Sequence, residues 1–337
     1  MKKILVTGGL GYIGSHVVVE LVAVGYDVLI VDDLSNSQRS VLDRLDGITG
    51  KKLHFVEGDL SDKGFTEALF AYHQIDAIIH FAAKKAVGES VEKPLLYYRV
   101  NLGSMMNLLE GMKAHHVNNI VFSSSCTVYG QPEKLPVTEE TPMQAPASPY
   151  GHTKQVCEHM LHDVIQANKG IFGTSLRYFN PVGAHSSAKI GELPLGIPNN
   201  LVPFITQTGI GLREKLSVFG GDYNTPDGTA IRDYIHVVDL AKAHVSALER
   251  QFSQAIPYEV FNVGAGKGYS VLEVIQSFER VSGQKLNYQI VDRRPGDIEQ
   301  IWADTKLANK ALNWKAEKSL DDMMLDAWNW QKTLKNA

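Results

Sequence analysis

The chain has 337 residues, a formal net charge of −4 at pH 7 from 33 Lys and Arg against 37 Asp and Glu, and 44% hydrophobic residues. That is material for one large or two modest domains, and the dispersed, slightly acidic charge excludes a general affinity for nucleic acid or anionic membrane. Two cysteines, Cys126 and Cys157, make no disulfide framework, no run is apolar enough to span a bilayer, and MKKILVTGG lacks the pattern of a secretory signal, so a soluble cytoplasmic protein is expected.

KILVTG is a short apolar run, read as a buried strand, and IGSHVVVELVAVG as a helix closed by Gly25. YDVLIVDD and KLHFVEGD are the second and third strands, FTEALFAYHQ a helix, DAIIHFAA a fourth strand and VNLGSMMNLLEGMKAHH a helix. NIVFSSSCTVYG is the fifth strand. Ser148, a good N-cap before Pro149, then opens a helix with apolar Val156, Met160, Leu161 and Val164. GTSLRYFNPVG is the sixth strand. The alternation predicts an α/β fold, a doubly wound parallel sheet of Rossmann type, over residues 1–180. Residues 181–337 form a smaller C-terminal α/β domain for substrate. Its first stretch, Gly183 to Gly228, is rich in Gly, Pro and Asn. DYIHVVDLAKAHVSALER and EVFNVG again look sheet-like, so 229–263 may return to the first domain. LEVIQSFERVSG and SLDDMMLDAWNWQKTL are closing helices.

TGGLGYIG follows the first strand and opens the first helix, the context that a dinucleotide-binding glycine loop requires. Gly9, Gly11 and Gly14 fit G-x-G-x-x-G, and the helix N-terminus would face a pyrophosphate. Asp32, eighteen residues past Gly14, ends the second strand, where a carboxylate meets an adenosine ribose. It would repel a 2′-phosphate, so NAD is favoured over NADP. Asp33 reinforces this and Arg39 opposes it slightly.

SPYGHTK places Tyr150 and Lys154 four residues apart, neighbours on one helix face. The lysine and the helix N-terminus both favour a phenolate. A tyrosine that titrates near 10 needs roughly 4 kcal/mol of differential stabilisation to act as a base near pH 7, which a lysine and a positively charged cofactor could supply together. Alone, the pair also suits an ordinary solvated helix start. His152, Cys157, His159 and His162 share that helix, but only His159 and His162 lie close on one face. A structural zinc needs four ligands, and no metal is expected.

The glycine loop also reads as T-G-x-x-G-x-x-G through Thr7, Gly8, Gly11 and Gly14, and with the serines ending at Ser125 and YGHTK it resembles the extended short-chain dehydrogenase/reductases. Within them, HFAAKKAVGES, KPLLYYRVN, FSSSCTVYG, LRYFNPVGAH, GIPNNLVPF and DGTAIRDYIHVVDLA are similar to the UDP-glucose 4-epimerase family from Met1 to the tryptophan-rich end. The resemblance implies tightly bound NAD, the substrates UDP-glucose and UDP-galactose, and a homodimer built on helices flanking the sheet. It makes Tyr150 the base at the sugar 4-hydroxyl, Lys154 the group that lowers its pKa, and Ser125 a hydrogen-bonding relay. Tyr12 and Ile13 would cover the pyrophosphate. Asp32, Asp33, Leu34, Ser35, Asn36 and Ser37 would surround the adenosine ribose, and Asp59 and Leu60 the adenine. Phe81, Ala82, Ala83, Lys85 and Asn101 would line the inner half, with Tyr178 and Phe179 near the nicotinamide. Lys84 would be solvated. Asn180, Asn200, Leu201, Ser217, Val218, Phe219, Arg232, Tyr234, Arg294 and Asp297 would hold UDP. Arginines suit a diphosphate for a physical reason, their bidentate charge-assisted bonds.

Cys126, Ala83, YGHTK and RRPGD depart from the usual family forms without removing a catalytic group. Ile301 occupies the position that sets room beside C2. Tyrosine there restricts the pocket and small residues admit N-acetylated sugars, so isoleucine leaves both open. Nucleotide-sugar 4,6-dehydratases carry an Asp-Glu pair where this chain has Cys126 and Thr127. A UDP-glucuronate-acting enzyme is another alternative. A catalytically dead NAD-sensing protein would break the Ser–Tyr–Lys set, which is intact here.

Overall fold

A computed structural model describes residues 1–254, 256–294 and 297–335, so Pro295 and Gly296 of the RRPGD run lie outside the described residues. Thirteen strands run through that part: β1 (Lys3–Thr7), β2 (Asp27–Asp32), β3 (His54–Glu57), β4 (Ala77–His80), β5 (Asn119–Ser123), β6 (Phe172–Tyr178), β7 (Asn180–Val182), β8 (Leu216–Phe219), β9 (Ile231–His236), β10 (Tyr258–Val263), β11 (Gly268–Ser270), β12 (Tyr288–Val291) and β13 (Gln300–Ile301). Seven of them form one parallel sheet in the order β10-β6-β5-β4-β1-β2-β3.

Successive strand residues face opposite sides of the sheet, and the apolar runs serve both. Ile4, Val6, Val28, Ile30, Ile79 and Val121 meet the helices Tyr12–Ala23, Ser40–Thr49 and Val237–Ser253. Leu5, Leu29, Val31, Ile78, Ile120 and Phe122 meet Lys63–Tyr72, Gly103–Ala114 and Pro149–Ala167. Both faces are therefore covered, which is why the strands read as continuous apolar runs. The strand order reverses at β1 and β4, and a crevice opens beyond the carboxyl ends of strands at such a point.

β9 does not enter this sheet. It lies between β11 and β13 and also pairs with β7, while β8 pairs with β12. Val202, Ile205, Val218, Val274, Phe278, Met324 and Trp328 form the core beneath these strands, drawing on the helices Leu201–Gly209, Val271–Ser282 and Leu320–Lys335. Within 229–263, the helix Val237–Ser253 and β10 thus belong to the large sheet, and β9 to the small one.

Several local expectations change. The predicted sixth strand breaks at Phe179, because β7 turns away to pair with β9. The fifth strand stops at Ser123, and Cys126–Tyr129 forms a short 3-10 turn whose Thr127 N–H is capped by the Ser125 hydroxyl. The loop-like stretch after Gly183 contains the helix Leu201–Gly209. The buried face of Pro149–Ala167 is rotated from the apolar stripe: Tyr150, Lys154, Cys157, Glu158, Leu161 and Ile165 point inward, while Val156, Met160 and Val164 are half-buried. Among the described residues, no helix is long and apolar enough to cross a membrane.

Candidate active site

The glycine loop fills the end of β1 so tightly that side chains are excluded. A Cβ on Gly8, at φ +66°, would stand 2.9 Å from the Ala82 nitrogen, and one on Gly14 would stand 2.3 Å from the Gly8 carbonyl. Asp32 ties the loop to β2. Its carboxylate accepts from the Leu10 N–H at 3.0 Å, the Leu34 N–H at 3.0 Å and the Ser37 hydroxyl at 2.7 Å. Burial pushes the Asp32 pKa up, and those three bonds oppose it. On the other side Thr7 Oγ1 accepts from the N–H groups of Phe81 and Ala82 at 3.1 and 3.2 Å. The result is a groove facing the N-terminus of Tyr12–Ala23, lined by Gly8, Gly11, Tyr12, Ile13, Gly14, Asp32, Asp33, Ser35, Asn36 and Ser37, then by Asp59, Leu60, Phe81, Ala82, Ala83, Lys84 and Lys85, and closed by Tyr150, Lys154 and Tyr178. A glycine cradle at a helix N-terminus beside a buried carboxylate fits a dinucleotide with a free ribose hydroxyl. Arg39 does not disturb this fit, since it lies 3.2 Å from Glu57 on the outer surface.

Three expected cofactor residues are used otherwise. Leu34, at φ +56°, packs against the core under the first helix. Phe179 is buried with Val128, Tyr129 and Ile301. The Asn101 amide braces the loop over the groove, accepting from Lys84 N–H at 2.8 Å and donating to Lys84 O and Thr153 Oγ1, both at 3.0 Å. Lys84 is not merely solvated: its ammonium crosses the groove to the Ser35 hydroxyl at 2.9 Å. Lys85 stands 4.0 Å from Glu192 with half its side chain exposed.

The helix opened by Ser148, whose hydroxyl accepts from the Gly151 N–H at 3.2 Å, carries Tyr150 and Lys154 to the inner end of the groove. Lys154 is 4% exposed, donates to the Ser123 carbonyl at 2.7 Å and lies 5.8 Å from the centre of the Tyr150 ring. Burial lowers its pKa to about 8, with Cys157 and Glu158 pulling upward. Tyr150 moves the other way. Burial, then Tyr178, holds its pKa well above the ordinary value, and the Ser125 hydroxyl pulls down. The Lys154 ammonium is directed to the strand end, and within the chain burial dominates the Tyr150 phenol.

At Gly11, Tyr12 and Lys85 the groove joins a cleft of about 550 Å³ lined by Cys126, Thr127, Asn180, Asn200, Arg232, Arg294, Asp297 and Ile301. Arg232 and Ile301 are paired partners on β9 and β13. Arg294 holds Asp297 through two bonds, at 2.8 and 3.2 Å. Asn200 donates to Glu192 at 2.6 Å. Strand alternation divides the β8 set: Val218 is buried in the small core, while Ser217 and Phe219 are exposed, with the Arg294 guanidinium 5.6 Å from the Phe219 ring centre. An exposed aromatic beside an arginine suits a flat base attached to phosphate. Tyr234 and Leu201 join the small core instead of the cleft wall, and burial takes the Tyr234 pKa to about 12.

Sequence reasoning missed Glu192, whose half-buried carboxylate stands in the cleft with its pKa raised by desolvation. It also missed Glu158, which burial makes unusual; the available signal was its spacing of four from Lys154 on the same face. The helix histidines do not converge: His152 bonds Tyr98 OH at 2.8 Å, His159 is exposed, and Cys157 points into the core.

A family model described as GDP-mannose 4,6 dehydratase matches residues 5–327. The UDP-glucose 4-epimerase of Bacillus subtilis (strain 168) is 51% identical over 334 residues, covering 99% of this chain and 98% of its own. The Homo sapiens enzyme of the same name is 50% identical over 337 residues, 98% of this chain and 97% of its own. The chain belongs to the UDP-glucose 4-epimerase family of the extended short-chain dehydrogenase/reductases. Its fold is that of the family as well. The UDP-glucose-4-epimerase of Stenotrophomonas maltophila, solved with bound NAD and formylated UDP-arabinopyranose, superposes with a TM-score of 0.97 at 48% identity, covering 100% of this chain and 99% of that one. That of Bifidobacterium longum, in complex with NAD+ and UDP, gives 0.95 at 48% identity, with 99% of each covered. At the two positions after Ser125 this chain has Cys126 and Thr127, the former with a thiol pushed up to about 12 by burial.

Proposed function

We infer that this protein interconverts UDP-glucose and UDP-galactose by inverting C4 of the hexose, through a transient 4-keto sugar and with tightly bound NAD. The observation that carries the reading is a glycine-cradled dinucleotide groove that closes on Tyr150 and Lys154 and shares Gly11, Tyr12 and Lys85 with an arginine-lined cleft.

NAD, held by the loop Gly8–Gly14, Asp32 and the loop after β4, supplies a two-electron acceptor and donor for C4. The chain does the rest. Tyr150, as phenolate, takes the proton of the 4-hydroxyl and later returns it. Ser125, whose hydroxyl already pulls the Tyr150 pKa down, steadies the phenolate and the sugar oxygen. Lys154 holds the serine strand and contributes its charge. Arg232, Arg294, Asn200 and the exposed Phe219 grip the nucleotide, so that the hexose is left free to turn over between the two half-reactions. Burial of Tyr150 keeps water from the keto sugar.

In this reading residues 1–180 hold the cofactor, 229–263 partly return to them, and 181–337 hold UDP. Ile301, at the cleft wall, is narrower than an aromatic residue, which supports acceptance of UDP-N-acetylhexosamines as well. The exposed Leu95 and Met106, with the half-buried Val156, Met160 and Val164, give the helices on one face of the sheet an apolar surface, which supports a homodimer. Free Cys126 and Cys157 suit the cytoplasm.

Proton NMR of UDP-galactose with the purified protein and no added NAD tests the reading. A UDP-glucose anomeric signal growing to equilibrium is expected; no conversion, even with NAD supplied, would refute it.

A further inference from the structure

Behind the active-site serines lies an ion pair that the reaction does not touch. Glu158 follows Lys154 by one helical turn on the same face. Its carboxylate receives the Arg177 guanidinium through Nε at 3.1 and 3.2 Å and Nη2 at 2.7 Å, and both side chains are almost wholly buried, at 2% and 6% exposed. The same carboxylate accepts a hydrogen bond from the Ser124 hydroxyl. Ser124 is the residue between Ser123, whose carbonyl receives Lys154, and Ser125, whose hydroxyl acts on Tyr150. Arg177 continues to the Tyr129 hydroxyl at 3.1 Å, Tyr129 to Asn262 at 2.6 Å, and Asn262 to the Val137 carbonyl at 3.0 Å. Val137 in turn bonds Trp302, next to Ile301, at 2.9 Å.

Resting on the epimerase reading, we propose that Glu158 and Arg177 are positioning residues of the active site: their pair fixes the serine strand under Tyr150, and Glu158 supplies the negative charge facing Lys154. A buried pair is by itself weak evidence of anything beyond specificity of packing. Its placement decides otherwise. Ser124 has no other side-chain partner among the described residues, and its neighbours on both sides contact the catalytic groups.

The charges around Lys154 point the same way. On its own helix stand Tyr150, Cys157 and Glu158. β4 brings His80, β6 brings Arg177 and Tyr178, the turn after Ser125 brings Cys126 and Tyr129, and β10 brings Tyr258. Glu89 and Tyr97, on the preceding short helices, bond each other at 3.0 Å, and Tyr98 is bonded to His152 at the helix start. Burial keeps His80 neutral with a pKa of about 3, takes Cys126, Cys157 and Tyr129 to about 12, and raises Tyr97, Tyr178 and Tyr258. The charged groups left in the buried shell are Glu158 and Arg177, with the half-buried Glu139 behind them, whose carbonyl accepts from Arg177 Nη1 at 3.3 Å and whose carboxylate accepts from the Asn262 N–H at 2.7 Å. Removing the carboxylate takes away a negative charge one helical turn from Lys154 that raises its pKa, so the lysine loses its proton more readily.

The test is kcat and KM for UDP-galactose against pH in wild type, Glu158→Gln and Glu158→Asp. In Glu158→Gln the alkaline limb of kcat is expected to move down by about one pH unit, with KM for the nucleotide sugar within about twofold because UDP is gripped elsewhere. Glu158→Asp, which keeps the charge, is expected to restore the limb. Should Glu158→Gln fail to fold, the double variant Glu158→Gln/Arg177→Met, which removes both charges together, takes its place. If that fails too, Ser124→Ala, which leaves the pair intact, is expected to lower kcat about tenfold without raising KM. A limb at the wild-type pH in whichever charge variant folds, or a wild-type kcat in Ser124→Ala when neither folds, overturns the proposal. An inactive wild type would instead refute the epimerase reading.

Discussion

Lys154 gives its ammonium to the Ser123 carbonyl at 2.7 Å while standing 5.8 Å from the centre of the Tyr150 ring. The lysine therefore secures the strand that presents Ser125, and the phenol, buried beside Tyr178, keeps its proton in the absence of further positive charge. Tyr150→Phe removes the one oxygen able to take the 4-hydroxyl proton and leaves the packing unchanged. Its kcat is expected to fall by about 10³, within the usual span for a lost acid–base group. NMR turnover beside an unaltered melting curve checks this.

Gly14→Ala tests the cradle. The new methyl would overlap the Gly8 carbonyl, 2.3 Å away, with Gly9 Cα at 2.9 Å, and neither is a flexible side-chain tip. The loop must open, costing about 1–3 kcal/mol, and the purified protein should carry far less NAD than wild type. Cofactor released on denaturation, measured per chain, decides it.

Ile301 separates two substrate ranges. Its side chain packs on Val128, Tyr129 and Ala303 at the cleft wall. Wild type is expected to epimerise UDP-N-acetylgalactosamine. Ile301→Tyr should cut that activity at least about tenfold while UDP-galactose turnover changes little, since one or two crowded methylene-sized volumes are worth about 1–3 kcal/mol. Parallel rate measurements on both sugars would expose an error, as equal losses on the two would mean general damage.

His80 should make the fold acid-sensitive. It is buried with Nδ1 2.8 Å from Thr7 Oγ1, and burial lowers its pKa from an ordinary 6.5 to about 3. Between those values the unfolded chain binds a proton that the folded one refuses, so stability falls as pH drops from about 6.5 towards 3. The slope is about 1.4 kcal/mol per pH unit for this group. Denaturant titrations from pH 7.5 to 5 should show a shallower fall in His80→Gln than in wild type.

The cofactor side was legible before any coordinates because its chemistry is local in the chain. A strand, Thr7 to Gly14, a helix and then Asp32 follow one another, and each constraint acts between near neighbours. Tyr150 and Lys154 were legible for the same reason, being one helical turn apart. The substrate side was less so. Val218 and Phe219 are adjacent, yet one is core and the other exposed, a division that depends on which face of β8 meets the helices. Phe179 and Tyr234 carry aromatic rings suited to a site, but the departure of β7 from the large sheet draws both into apolar clusters.

By itself the sequence determined a glycine-loop dinucleotide fold and the family, and it singled out the Ser–Tyr–Lys set as the candidate site, since each follows from short-range spacing or from similarity along the whole chain. Only the tertiary structure decided that Glu158, Arg177 and Ser124 form one buried unit, that Asn101 braces a loop, and that Lys84 crosses to Ser35. Residues 17 to 52 positions apart meet there. A charged side chain in a sequence is presumed solvated until the surrounding elements remove the water, and that removal is a property of the packed sheet and helices, not of any segment of the chain.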